Sequence, residues 1–280
     1  MRHGADLAGK VTDQFKGITS VAAVALGGSR ANGQLDEQSD IDLYVYTHKD
    51  IPVEKRREIV NKLGASKADM NLTFWDTGDE WFDSATGIEV DVMYWHPNWI
   101  EEQLERVLVK HQASMGYTTC FWRTLKNSQL LFDRNGWFCD LQEQSKQPYP
   151  IELKRAVIAK NHPVLRNVIP AYTHQISKAL ERNDLVSINH RLAALLASYF
   201  DVLFAVNEVL HPGEKKLLKF VKEECAFVPE DLGGLIGQIL QFGSVGDLEL
   251  IKELDTLIDG LDEILANHGF DPDKTHSGDF

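Results

Sequence analysis

Hydrophobic periodicity changes once along this chain, and that change sets the fold class. Before residue 147, short apolar runs alternating at every second position are interleaved with segments of helical period. After Gln147-Pro148-Tyr149-Pro150 the strand signal vanishes, and apolar stripes of helical period continue to about Leu265. The pattern predicts an α+β fold. An N-terminal domain over residues 1–147 would hold a small mixed β-sheet flanked by helices. A C-terminal α-helical bundle would follow over 148–270, with a polar, disordered tail over 271–280.

Within the first half, Val21 to Leu26 is an apolar run that stops at Gly27-Gly28, as a buried strand ending in a turn would. Asp40 to Tyr46 alternates around Ile41, Leu43 and Val45, and Ile88 to Tyr94 alternates around Ile88, Val90 and Val92. Both read as strands with one buried face. Shorter strands are expected over Asn71–Phe74 and Ser128–Phe132. Helices are expected over Asp6–Ile18, Val53–Leu63 and Pro97–Lys110, the last because proline suits a first helical turn. In the second half, the periodicity predicts helices near 151–160, 172–181, 185–210, 214–224, 231–241 and 247–266. The aromatic residues Phe74, Trp75, Trp81, Phe82, Tyr94 and Trp95 read mainly as core. His96, His174 and His190 read as satisfied polar residues, since no paired metal-ligand spacing is present.

Composition narrows the partners. The net charge is −13, so a broad nucleic-acid footprint or an anionic membrane surface is not expected, and a cationic small molecule would be attracted. Cys120, Cys139 and Cys225 are few and far apart, which fits a reducing cytoplasm rather than a disulfide framework. Residues 1–10 lack the apolar core of a signal peptide. The longest apolar run, Leu192 to Val206, is interrupted by Ser198 and Asp201 and is too short to span a bilayer.

The chemistry concentrates in Leu26-Gly27-Gly28-Ser29-Arg30-Ala31-Asn32-Gly33 and Ser39-Asp40-Ile41-Asp42-Leu43. On a strand, Asp40 and Asp42 project from the same face, about 6–7 Å apart along the backbone. Two carboxylates so held repel each other unless a cation lies between them. Mg²⁺, which takes hard oxygen ligands from carboxylates and substrate phosphates, suits such a pair. Gly28 and Ser29, at the end of the preceding strand, offer close backbone approach and amide donors to phosphate oxygens. Arg30 can add charge there. Two-metal phosphoryl chemistry requires a further acid. Ile88-Glu89-Val90-Asp91-Val92 supplies two candidates on one strand face. Asp91, deeper in the apolar run, is favoured as a metal ligand or proton acceptor, with Glu89 as the alternative. Each piece alone is common in proteins. Their order, spacing and strand context together carry the signal.

These motifs resemble the signature of the DNA polymerase β-like nucleotidyltransferase superfamily: Gly28-Ser29, ten residues, Asp40-Ile41-Asp42-Leu43, then Val90-Asp91-Val92. The run from Gly28 to Gly33 with Ser39 to Leu43 is most similar to the small bacterial branch that holds aminoglycoside and lincosamide nucleotidyltransferases and minimal antitoxin-type enzymes. The resemblance covers about residues 20–95. It implies that Asp40 and Asp42 bind Mg²⁺, with two ions expected, and that Asp91 is the third acid, although many antibiotic-modifying relatives have Glu there. It implies ATP or another nucleoside triphosphate as co-substrate. A cleft between the two domains is expected to hold nucleotide and acceptor, since sites favour domain interfaces. Asn207-Glu208-Val209-Leu210-His211-Pro212-Gly213-Glu214-Lys215-Lys216 resembles the end of the helical domain in these enzymes, where a lysine reaches the triphosphate. Lys215 and Lys216 are the candidates.

The expected reaction is transfer of a nucleoside monophosphate, AMP by preference, to a hydroxyl of a small-molecule acceptor. The long helical half and the acidic charge favour this reading. The alternatives are a protein adenylyltransferase of the antitoxin type and a nucleotide-binding protein without catalysis.

Overall fold

A computed structural model describes residues 2–28 and 40–274. The described chain groups into two compact units. One comprises residues 1–104 with 124–147, and the other 105–123 with 148–280.

The first unit is built on a six-stranded sheet. The elements up to its far edge are α1 (Arg2–Phe15), β1 (Val21–Leu26), β2 (Ile41–Thr47), α2 (Val53–Leu63), β3 (Ala65–Leu72), β4 (Gly78–Asp83) and β5 (Glu89–Trp95). The chain continues through α3 (Pro97–Leu108) and α4 (Cys120–Asn127), each of which has residues in both units, to β6 (Gln129–Asp133) and α5 (Trp137–Gln144) of the first unit. The strand order is β3-β4-β5-β2-β1-β6. β2 and β5 run parallel, and the other neighbours are antiparallel. The sheet is therefore mixed, as the sequence predicts. β1 is buried at every residue because strands cover both its edges and side chains cover both its faces.

The two faces of β2 and β5 differ. Ile41, Leu43, Val45, Val90 and Val92 are fully buried in a core with Leu7, Val11 and Phe15 of α1 and Ile59 and Val60 of α2. Burying these side chains contributes about 1.5–3 kcal/mol each. The opposite face carries Asp42, Tyr44, Asp91 and Met93, all half-buried. Toward the far end of that face, Tyr44 stacks on Trp95 at 4.6 Å between centroids, and Trp95 packs on Trp99 of α3 at 4.7 Å.

Two expectations are corrected here, and three elements were not anticipated. The strand expected at Asn71–Phe74 is instead the end of β3, which begins at Ala65. β3 is an edge strand, polar on both faces, so it shows no alternation. β4 was not anticipated, because Gly78-Asp79-Glu80 is poor strand sequence. Asp79 can nevertheless be fully buried there, because Arg56 pairs with it at 2.6 Å. Phe74 and Trp75 are not core: they are 82% and 90% exposed on the β3–β4 loop. The short helices α4 and α5 were also not anticipated.

The second unit is helical. α6 (Ile151–Asn161), α7 (Pro163–Arg166), α8 (Tyr172–Glu181), α9 (Leu185–Val206), α10 (Leu217–Glu224), α11 (Leu232–Val245) and α12 (Glu249–Asn267) gather around α9. Its core joins Leu195, Tyr199 and Leu203 of α9 to Ile239 of α11 and Leu254, Leu257 and Leu261 of α12. α9 ends at Val206, before the expected Leu210, because the Asn207 side chain bonds back to Leu203 O at 2.8 Å and Glu208 turns to φ 57°. α10 begins at Leu217 rather than Glu214, because Lys216 is left-handed at φ 59°. Pro272–Lys274 form one 3-10 turn, and residues 275–280 lie outside the described residues. Among the described residues, no helix is long and apolar enough to cross a membrane.

Candidate active site

The site begins with strand register. β2 and β5 pair so that Asp42 lies beside Asp91, and β4 pairs with β5 so that Glu80 lies on the other side of Asp91. Strands are about 4.8 Å apart, so a row of three carboxylates, Glu80–Asp91–Asp42, crosses three adjacent strands on one face. Asp40 immediately precedes β2, and continuing the register by one residue sets it beside Glu89, whose carboxyl feels its charge. Sequence reasoning therefore finds Asp40, Asp42, Asp91 and Glu89, and the sheet brings all four together. Glu80 was missed because its strand was.

The row continues to β1 through glycine. The Gly27 N–H donates to Asp42 O at 2.8 Å, extending the β1–β2 ladder by one residue. Gly28 follows at φ +62°, and a Cβ there would sit 1.8 Å from Asp42 Oδ2. Only glycine leaves the Asp42 carboxylate its position and lets the backbone approach it. A Cβ at Gly27 would fall 2.3 Å from the Tyr44 ring. Ser29 and Arg30, the other candidate phosphate ligands on this turn, lie outside the described residues.

The electrostatics follow from the crowding. Burial, then the neighbouring charges of Asp42, Glu80, Glu89 and Asp40, together push the Asp91 carboxyl up from 3.8 to about 6. Glu89 is raised by burial, then by Asp40 and Glu80, with Lys67 opposing. The Tyr44 hydroxyl is raised by burial and by the charges of Asp42 and Asp91. Such a cluster is under like-charge strain that a cation would relieve. Its donors are all hard oxygens, which suits Mg²⁺. Among the described residues, no three His, Cys, Asp or Glu side chains close into a cage for a metal ion. An ion held here would complete its shell with substrate oxygens and water.

Lys215 and Lys216 are exposed in the second unit, in the segment between α9 and α10. Beside them His211 is fully buried; its Nδ1 accepts from the Gly213 N–H at 3.1 Å.

Residues 9–84 match the family described as polymerase beta, nucleotidyltransferase. The matched segment contains Gly28, Asp40 and Asp42 and ends before Asp91. Residues 120–217 match a domain of unknown function, DUF4037. Among curated proteins, none matches the chain. Among solved structures, the chain is similar to a nucleotidyltransferase-like protein from Exiguobacterium sibiricum 255-15 at 11% identity and a TM-score of 0.45, over 95% of this chain and 75% of that one. That likeness is too distant to speak for chemistry.

Proposed function

We propose, from the match of residues 9–84 to the polymerase beta nucleotidyltransferase family, that the protein transfers AMP from Mg-ATP to a hydroxyl of a small-molecule acceptor. The observation that carries the reading is the register of β2, β5 and β4, which lines up Asp42, Asp91 and Glu80 beside a glycine turn that admits no side chain.

Asp40, Asp42 and Asp91 would hold Mg²⁺, which when bound neutralises the charge of the triphosphate. The amides at Gly28 and its turn, with Ser29 and Arg30, would bind the outer phosphates. Asp91, whose carboxyl is raised toward neutrality, accepts the proton of the acceptor hydroxyl. The hydroxyl oxygen then bonds to the α-phosphorus as the bond to pyrophosphate breaks. Lys215 or Lys216 would add a cation for the triphosphate. The acidic chain, at net charge −13, favours a cationic acceptor, as in the antibiotic-modifying branch.

Pyrophosphate release should be measured from each nucleoside triphosphate with Mg²⁺, against aminoglycosides, lincosamides and simple hydroxylated metabolites. Acceptor-dependent release with ATP, reduced at least about 100-fold in Asp42→Asn, is the expected result. Nucleotide binding without release for any acceptor would replace transfer to small molecules with a protein acceptor or a binding role. Absence of nucleotide binding would overturn the site.

A further inference from the structure

A separate cleft opens at the other end of the same strands. It encloses about 300 Å³, within the range of small-ligand sites. Its floor includes Arg56, Ile51 and Trp95, all buried, and its rim includes the exposed residues Asn71, His96 and Asp50. Thr47 and Trp95 end the strands whose beginnings carry Asp42 and Asp91, so the cleft is distinct from the carboxylate row.

The polar groups of this cleft are arranged as donors. Arg56 is 3% exposed and fixed by three bonds: Nε to Ile51 O at 3.0 Å, Nη1 to Asp79 Oδ1 at 2.6 Å and Nη2 to Asn71 Oδ1 at 2.8 Å. A guanidinium has five N–H groups, and Arg56 also hydrogen-bonds the Tyr94 side chain, so at most one N–H remains uncommitted among the described residues. Accepting from Arg56 fixes the Asn71 amide with its oxygen toward the guanidinium, which leaves its NH₂ to face elsewhere. The Asn98 N–H donates to His96 Nδ1 at 3.2 Å, so the neutral ring carries its proton on Nε2. The fixed acceptors nearby are already used: Asp79 takes bonds from Arg56, the Asn71 N–H and the Tyr94 hydroxyl. Among the described lining residues Asp50, exposed at the rim, adds a carboxylate.

We propose that this cleft is a second ligand site and binds the oxyanion of a small metabolite, a carboxylate or a phosphate, against Arg56, Asn71 and His96. Charge-assisted bonds from a guanidinium favour such an anion over water. Asp50 at the mouth leaves room for a positive group pointing to solvent. The inference is independent of the nucleotidyltransfer reading.

Side-chain ¹H–¹⁵N resonances of Asn71 and His96 should be followed in the full chain during titration with inorganic phosphate, acetate and, as a neutral comparison, acetamide. The expected result is saturable shifts with at least one anion and none with acetamide. Saturation by phosphate alone identifies a phosphorylated ligand, and by acetate alone a carboxylate. Asn71→Asp keeps the acceptor for Arg56 and tolerates the φ of 60° at this position. It should weaken binding at least about tenfold, the loss of one strong hydrogen bond. His96→Phe, at an exposed residue, should weaken binding without touching the Arg56 network. Asp42→Asn should leave it unchanged. No saturable shift with either anion, undiminished binding in both cleft variants, or loss of binding in Asp42→Asn would each overturn the proposal.

Discussion

At Gly28 the backbone is left-handed, and an added methyl group would stand 1.8 Å from Asp42 Oδ2 and 2.9 Å from its Cγ. The obstructed group is the far end of a side chain, which can swing aside, so the fold tolerates what the site does not. Gly28→Ala is therefore expected to cost about 1–2 kcal/mol of stability from the positive φ, while nucleotidyl transfer falls as far as in Asp42→Asn. Thermal denaturation beside the pyrophosphate assay separates the two effects. A variant with normal activity would show that the Asp42 carboxylate need not occupy the position seen here. The same crowding makes Asp91 a poorly placed anion in the free protein, held up toward 6 by burial and by four neighbouring carboxylates. Strain of this kind is common where charge must later meet a cation.

Among the elements, β4 shows how one pair decides a strand. Gly78-Asp79-Glu80 disfavours a sheet, yet Asp79 is fully buried. It receives the Arg56 guanidinium from α2, the Asn71 N–H from β3 and the Tyr94 hydroxyl from β5. Arg56 also lies over the Tyr94 ring at 4.7 Å. Arg56→Met would leave Asp79 buried and uncompensated, at a cost of about 3–5 kcal/mol. Arg56→Met with Asp79→Leu should recover part of that loss. Urea denaturation of the wild type, the single and the double variant measures it. A single variant as stable as wild type would show that the pair does not hold β4 in place. Because β4 brings Glu80 to Asp91, the same bond supports the edge of the carboxylate row.

For the molecule as a whole, each compact unit has its own core, and the helical unit carries two buried titrating groups of opposite effect. Burial, then Arg123, lowers His211 from 6.5 to about 4. As pH falls through this window, the unfolded chain takes up a proton that the folded chain refuses, and stability is lost. Burial raises Asp201 from 3.8 to about 6, against the bonds it accepts from Thr118. Here the folded chain takes up the proton first, and stability is gained on acidification from 6 toward 3.8. The two slopes oppose each other in wild type. His211→Phe removes one, so its melting temperature relative to wild type should rise steadily from pH 7 to pH 4.5. A difference that stays flat with pH would show that His211 titrates normally in the folded protein.

The sequence alone determined the mixed sheet, the helical second half, and the strands that carry Asp42 and Asp91, with Asp40 just before the first of them. These features rest on local periodicity, and a side chain's face is fixed by its own strand. It also determined that Gly28 lies at the end of β1. Tertiary structure decided the rest. Glu80 joins the acids, Tyr44 stacks on Trp95, and Phe74 and Trp75 stand in solvent, because each depends on which strand pairs with which and in what register. Pairing of β2 with β5 joins residues 49 apart, and pairing of β5 with β4 joins residues 7 to 15 apart. No local pattern encodes such contacts. They are selected by the burial and ion pairing that only the assembled sheet provides.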